Sequence, residues 1–221
     1  MILPLLAASD YGIMVGIGIV LLFFLVIAWV IVQGTRAQLA WRALVDAGDV
    51  SAITTLVSEE VTRWKTAKMP KGVSTALWHG VQSAELVEVK PEGVRLSATA
   101  EGQYALVDGA RREVTSALDE AFALTARLAD MVMYDIPNVK LPYAQVDIYS
   151  TFRDESGAAQ RCIMSTLCER QTADAVDWDE MSGEEVVRAF GGRYSLDDHG
   201  LPNPIDPDAP ASGVPAVFYK D

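Results

Sequence analysis

Two histidines, His79 and His199, two cysteines, Cys162 and Cys168, and a set of scattered carboxylates are the residues from which this chain would have to build a reactive centre. The histidines stand 120 positions apart, without the local spacing of a zinc site or a clear place in a Ser-His-Asp triad. No CxxC, HExxH or GxSxG occurs, and no GxxxxGK[ST] cradle for phosphates. Asp147 and Glu169 fall on what read as adjacent strands and imitate a nuclease-type carboxylate pair. That pattern calls for a lysine two residues on, and position 171 is Gln. The plain reading of both acids is a solvated strand face. Asp174, Asp177, Asp179 and Glu180 are acidic enough for calcium but lack the loop spacing and the central glycine. Asp197-Asp198-His199 reads as a turn. Catalysis is therefore not expected, nor a metal or a covalent cofactor.

The cysteines bear on compartment. They lie six apart in one predicted strand, which puts both on one face about 20 Å apart. A disulfide needs Cα atoms within about 7 Å, so two free thiols and a reducing environment are expected.

Residues 11–32 carry no charge and no histidine. As a helix they would measure about 33 Å, the thickness of a bilayer's hydrocarbon core. Leu21-Leu22-Phe23-Phe24-Leu25-Val26-Ile27 is apolar all round, which suits lipid better than a half-covered surface. A cleaved signal peptide would show a basic start and a small-x-small site after the apolar run. Here no Lys or Arg precedes the run, and Ala7-Ala8-Ser9 comes before it. A retained transmembrane helix is the expectation. Arg36 and Arg42 follow the span with no basic residue ahead of it, which places the N-terminus outside and the C-terminal domain in the cytoplasm of a cell (inner) membrane.

Within the span, Gly12 and Gly16 stand four apart and Gly18 follows. Small residues there let another helix or a rigid apolar molecule approach closely. With Phe23, Phe24 and Trp29 they are the expected contact for a neighbouring helix, or for a non-covalent carotenoid, quinone or lipid. The span offers no usual axial ligand for haem or chlorophyll. Trp41, Arg36 and Arg42, with Trp64, Lys65 and Lys68, are the expected contacts with lipid headgroups.

The formal net charge is −12, unevenly spread. Residues 36–84 have a small basic excess beside the span, whereas residues 85–221 carry twelve basic against twenty-five acidic side chains. Such a body repels phosphate backbones, so nucleic acid is not an expected partner.

These residues are carried by a single N-terminal transmembrane helix followed by a soluble α+β domain with antiparallel hairpins. The divisions are a tail at 1–10, the span at 11–34, juxtamembrane helices at 35–72, the α+β domain at 73–199 and a proline-rich arm at 200–221. Apolar spacing predicts a helix over 50–68 and another over 116–133. Lys90-Pro91-Glu92-Gly93 turns one hairpin, with strands at 84–89 and 94–100, and a short strand follows near 103–107. Alternation over 146–153, a turn at 154–157 and a return over 161–169 give a second hairpin. Ser182-Gly183-Glu184-Glu185 is a capping box opening a last helix. Five of the ten prolines fall in the arm, which excludes helix and central strand there. Its apolar end, Val214, Val217, Phe218 and Tyr219, is the expected docking element for a partner, unless the arm packs on its own domain.

These features together predict a non-catalytic accessory subunit of a larger membrane complex, photosynthetic or respiratory electron transport being the first setting. The other class is a stand-alone membrane-anchored enzyme or sensor with a pocket the sequence hides.

Overall fold

A computed structural model describes residues 3–107, 109–154 and 157–209. The chain divides into two compact units, Met1–Ala43 and Leu44–Asp221. The first is a helix, α1, whose full extent is Leu3–Asp46. Among its described residues Met14–Asp46 is long and apolar enough to cross a membrane. From Met14 to Val32 its large apolar side chains are between 39% and 76% exposed.

The second unit is a mixed α+β domain. Gly48, at φ 73°, ends α1, with Gly48 N donating to Val45 O and Asp49 N to Leu44 O. Asp49 then caps α2 (Val50–Thr66) through Ser51 N and Ala52 N. Ile53, Val57, Val61 and Trp64 form the buried stripe of α2 and lie in the domain's core. The chain continues through α3 (Thr75–Gln82), β1 (Glu85–Lys90), β2 (Gly93–Thr99), β3 (Gln103–Val107), β4 (Ala110–Thr115), α4 (Ala117–Asp130), β5 (Tyr143–Asp154), β6 (Gly157–Glu169), α5 (Arg170–Ala173), α6 (Gly183–Ala189), β7 (Arg193–Leu196) and β8 (Pro202–Asn203). A single π turn, Met131–Asp135, prolongs α4.

The main sheet has the order β1-β2-β5-β6-β7-β8, and β3-β4 form a separate pair. Every pairing is antiparallel except β2 with β5, which is parallel. The two expected hairpins, β1–β2 and β5–β6, are antiparallel, and the parallel seam joins one to the other. The chain between β2 and β5 carries β3, β4 and α4, long enough for the crossover that parallel neighbours require.

One sheet face is apolar. Val94, Leu96 and Ala98 of β2 lie in register with Ala144, Val146 and Ile148 of β5, and Met164, Thr166 and Cys168 of β6 continue the row. Leu124 and Leu128 of α4 complete this core, fully buried. The capping box of α4 is formed by Ser116 and Asp119, and that of α6 by Ser182 and Glu185.

The helices meet at glycine. A Cβ on Gly183 would lie 2.6 Å from the backbone carbon of Phe122, so only glycine lets α6 start against α4. Gly183→Ala is expected to cost about 2 kcal/mol, because the collision is with backbone that cannot rotate away. Ser116→Ala is expected to cost about 1 kcal/mol by losing the cap. Denaturant unfolding of each variant checks both, and an unchanged midpoint for Gly183→Ala contradicts this packing.

Candidate functional site on the polar face of the sheet

The opposite face of the same strands is polar. It presents Arg95, Ser97 and Thr99 from β2, Gln145, Asp147 and Tyr149 from β5, and Ser165 from β6. A register shift lies between Ile148 and Tyr149: Ile148 pairs with Met164 and Tyr149 with Cys162, so Ile163 is an extra, bulged residue. The bulge reverses the side on which the remainder of β6 points. Cys168 therefore faces the apolar core and Cys162 the polar face. The expectation that both thiols share a face is corrected, since period-two counting fails across a bulge. Both remain free and buried. Burial first, then the charge of Asp147, pushes the Cys162 thiol up to about 12, so it is not a ready nucleophile at neutral pH.

A hydrogen-bonded row crosses four strands of this face. Arg95 Nε donates to Asp147 Oδ2 at 2.6 Å, and Gln145 Nε2 donates to Asp147 Oδ1 at 3.0 Å. Gln145 Nε2 also approaches Ser165 Oγ at 3.4 Å, which accepts from Arg193 Nη2 of β7 at 3.3 Å. Asp147 and Gln145 are each only 1% exposed. Burial alone would lower the Arg95 guanidinium, but the charges and hydrogen bonds of Asp147 and Asp208 outweigh it and hold it above its ordinary value. The hydroxyl of Tyr149 is raised too, by burial and then by the neighbouring Cys162 and Asp147.

The reading of Asp147 as a solvated acid is thus corrected. Its two oxygens accept from Arg95 and Gln145. Glu169 is exposed and pairs in register with Tyr143, four positions along β5 from Asp147, about 13 Å away. The two do not form a metal-binding pair.

The start of the proline-rich arm lies on this face. Asp208 Oδ1 accepts from Arg95 Nη1 at 2.6 Å, and Pro207 O accepts from Arg193 Nη2 at 2.9 Å. Ile205 N donates to Cys162 O at 2.8 Å, and the two residues of β8 extend the sheet beyond β7. The arm's described part, up to Ala209, therefore packs on its own domain. Val214, Val217, Phe218 and Tyr219 lie outside the described residues.

The other residues singled out from sequence fall elsewhere. Gly12, Gly16 and Gly18 all lie on α1, with Gly18 about 200° round the helix from Gly16, and no side chain or backbone comes within 4 Å of a Cβ placed on Gly16 or Gly18. Phe23, Phe24 and Trp29 are exposed on the same helix, as are Arg36, Trp41 and Arg42. Lys65 and Lys68 are exposed on and after α2. Trp64 is corrected: it is 4% exposed, packed in the core, with its indole N–H donating to Glu60, so it cannot reach a headgroup. His79 and His199 are exposed. Among the described residues no group of three or more His, Cys, Asp and Glu is placed to hold a metal ion. Asp177 accepts from Asp179 N and Glu180 N, so that acidic run stitches a turn.

Arg95, Gln145, Ser165, Arg193 and Asp208 were not marked by sequence patterning. On strands, polar alternation signals a wet face. The one signal that this face is covered was the proline arm, which cannot enter a helix and follows the last predicted element.

The chain matches no family model, and no curated protein or solved structure is similar to it at a significant level.

Asp147→Ala is expected to destabilise the domain by about 3 kcal/mol, because it leaves the buried Arg95 with Asp208 as its one remaining carboxylate partner. Arg95→Met with Asp147→Leu is expected to recover most of that loss, which a double-mutant cycle by denaturant unfolding measures. Asp130, on α4, gives a pH dependence. Burial first, then Asp135 and Asp179, raise its carboxyl, with Arg127 opposing. A raised carboxyl contributes stability below the ordinary value of about 3.9 and loses it as pH rises through the folded value. Asp130→Asn is expected to flatten the stability profile over that interval, as thermal melts from pH 3 upward would record.

Proposed function

We propose that this chain is a non-catalytic accessory subunit of a larger membrane complex, anchored by α1 and presenting its α+β domain to partners. One observation carries the reading. An uninterrupted apolar helix surface from Met14 to Val32 stays exposed, far beyond the few hundred Å² that a soluble protein leaves uncovered. Lipid and other spans are the environments that would cover it.

Orientation follows from charge. Arg36 and Arg42 favour a cytoplasmic domain, and Lys65 and Lys68 add basic surface in the same stretch of chain. The narrower setting, an energy-transducing complex in which carotenoid, quinone or lipid lies against Gly12, Gly16 and Phe23, rests on span character alone. An absorption spectrum of the purified assembly tests it, and the absence of carotenoid or chlorin bands removes the pigment.

A second reading has its own observation. Glu101, Gly102, Tyr104, Arg111, Thr151 and Arg153 line an open cleft of 860 Å³, with Arg111 stacked 4.3 Å over the Tyr104 ring. Such a cleft suits a polar or anionic ligand and supports an anchored sensor.

Solubilisation in mild detergent separates the two. Co-migration with a fixed set of subunits is expected for the accessory role. A lone monomer that binds a ligand with loss of affinity in Arg111→Ala supports the sensor instead. Release of the intact chain by an alkaline carbonate wash contradicts anchoring in either form.

A further inference from the structure

The contacts of the arm describe what the polar face selects. Its occupant here is an extended segment, Pro202–Ala209, that offers one carboxylate to Arg95, main-chain carbonyls of Asp206 and Pro207 to Arg193, and a backbone N–H to Cys162 O. The face supplies two arginines and the edge of β7. The edge of β7 is where an added strand would join.

Floor and cap are held with different strength. The floor is ordered by bonds that do not involve the arm: Arg95 to Asp147, Gln145 to Asp147, and Arg193 to Ser165. The cap has no buried residue between Leu201 and Ala209, and the Asp208 side chain is 67% exposed. Asp208 reaches the buried Arg95 from the solvent side, so the strap's half of that pair is open to water, and β8 spans only two residues. Low burial and few sheet bonds are the features of segments that open locally, and the cap has them where the floor does not. A preformed floor is also what makes rebinding of a peptide efficient.

We infer that the polar face is a docking surface for an extended acidic segment of a partner protein, and that Pro202–Ala209 is a displaceable strap occupying it in cis. Arg95 and Arg193 recognise the partner's carboxylate and carbonyls, and displacement of the strap is the step that admits it. This goes beyond the accessory role and does not depend on the membrane.

The two cysteines report the opening. Cys162 lies on the strap's face, with its carbonyl bonded to Ile205 N, and Cys168 lies in the core on the other side of the sheet. In the full chain held in detergent micelles, a small thiol reagent is expected to modify Cys162 well before Cys168. Asp208→Asn is expected to raise the Cys162 rate at least about fivefold, the most an exposed pair would give, because Arg95 is buried, without changing Cys168. A synthetic peptide of residues 201–209, Leu-Pro-Asn-Pro-Ile-Asp-Pro-Asp-Ala, is expected to slow Cys162 in that variant, and the same peptide with Asn for its second Asp to do so less. Equal rates at the two cysteines in the unaltered chain would show that the strap leaves only with unfolding. Failure of the peptide to protect Cys162 would show that the face accepts no segment in trans. Either result overturns the inference, and the first needs no variant to fold. Neither touches the carbonate wash that tests anchoring.

Discussion

Arg95 and Asp147 constrain everything on one side of this sheet. A carboxylate with 1% exposure loses its water and must be repaid by partners within hydrogen-bond distance. Arg95 supplies the opposite charge at 2.6 Å, and Gln145 supplies a second donor. That arrangement works only if β2 and β5 are neighbours in parallel register, with Arg95 beside Gln145 and Ser97 beside Asp147. The parallel seam, the least expected feature of the topology, is thus the one that builds the polar row. Once it exists, Ser165 and Arg193 extend it across β6 and β7, and the arm finds a complementary surface.

The two faces divide the work. Leu96, Val146, Ile148 and Met164 meet Leu124 and Leu128, and this burial supplies the domain's stability. The polar face contributes little net energy but selects what lies on it, as buried charge pairs do when one register satisfies them. The bulge at Ile163 couples the two. It places one cysteine in each environment.

Much of this architecture was legible in the sequence, for reasons tied to particular residues. The apolar spacing of α2, the capping box at Ser182 and the Pro91-Glu92-Gly93 turn are local signals, and each element formed where they point. The α4 helix and the β5–β6 hairpin followed from clear periodicity. Other elements carried no such signal. The α3 helix spans eight residues, and β7 and β8 four and two, too few for a period to emerge. The pairing of β2 with β5 joins residues about fifty apart, beyond any local pattern. Trp64 shows the same limit, since a tryptophan between basic residues resembles an interfacial anchor until the helix face it occupies is known. The candidate site was hidden because strand alternation cannot tell a wet face from one covered by a distant arm.

Floor and cap should separate in amide hydrogen exchange on the full chain in micelles. The amides of β5 from Gln145 to Ile148 are expected in the slowest class, exchanging only with global unfolding, while the amide of Ile205 exchanges earlier through local opening. If Ile205 exchanges in step with β5, the arm is part of the core, and the account of an organised polar floor beneath a removable cap is contradicted.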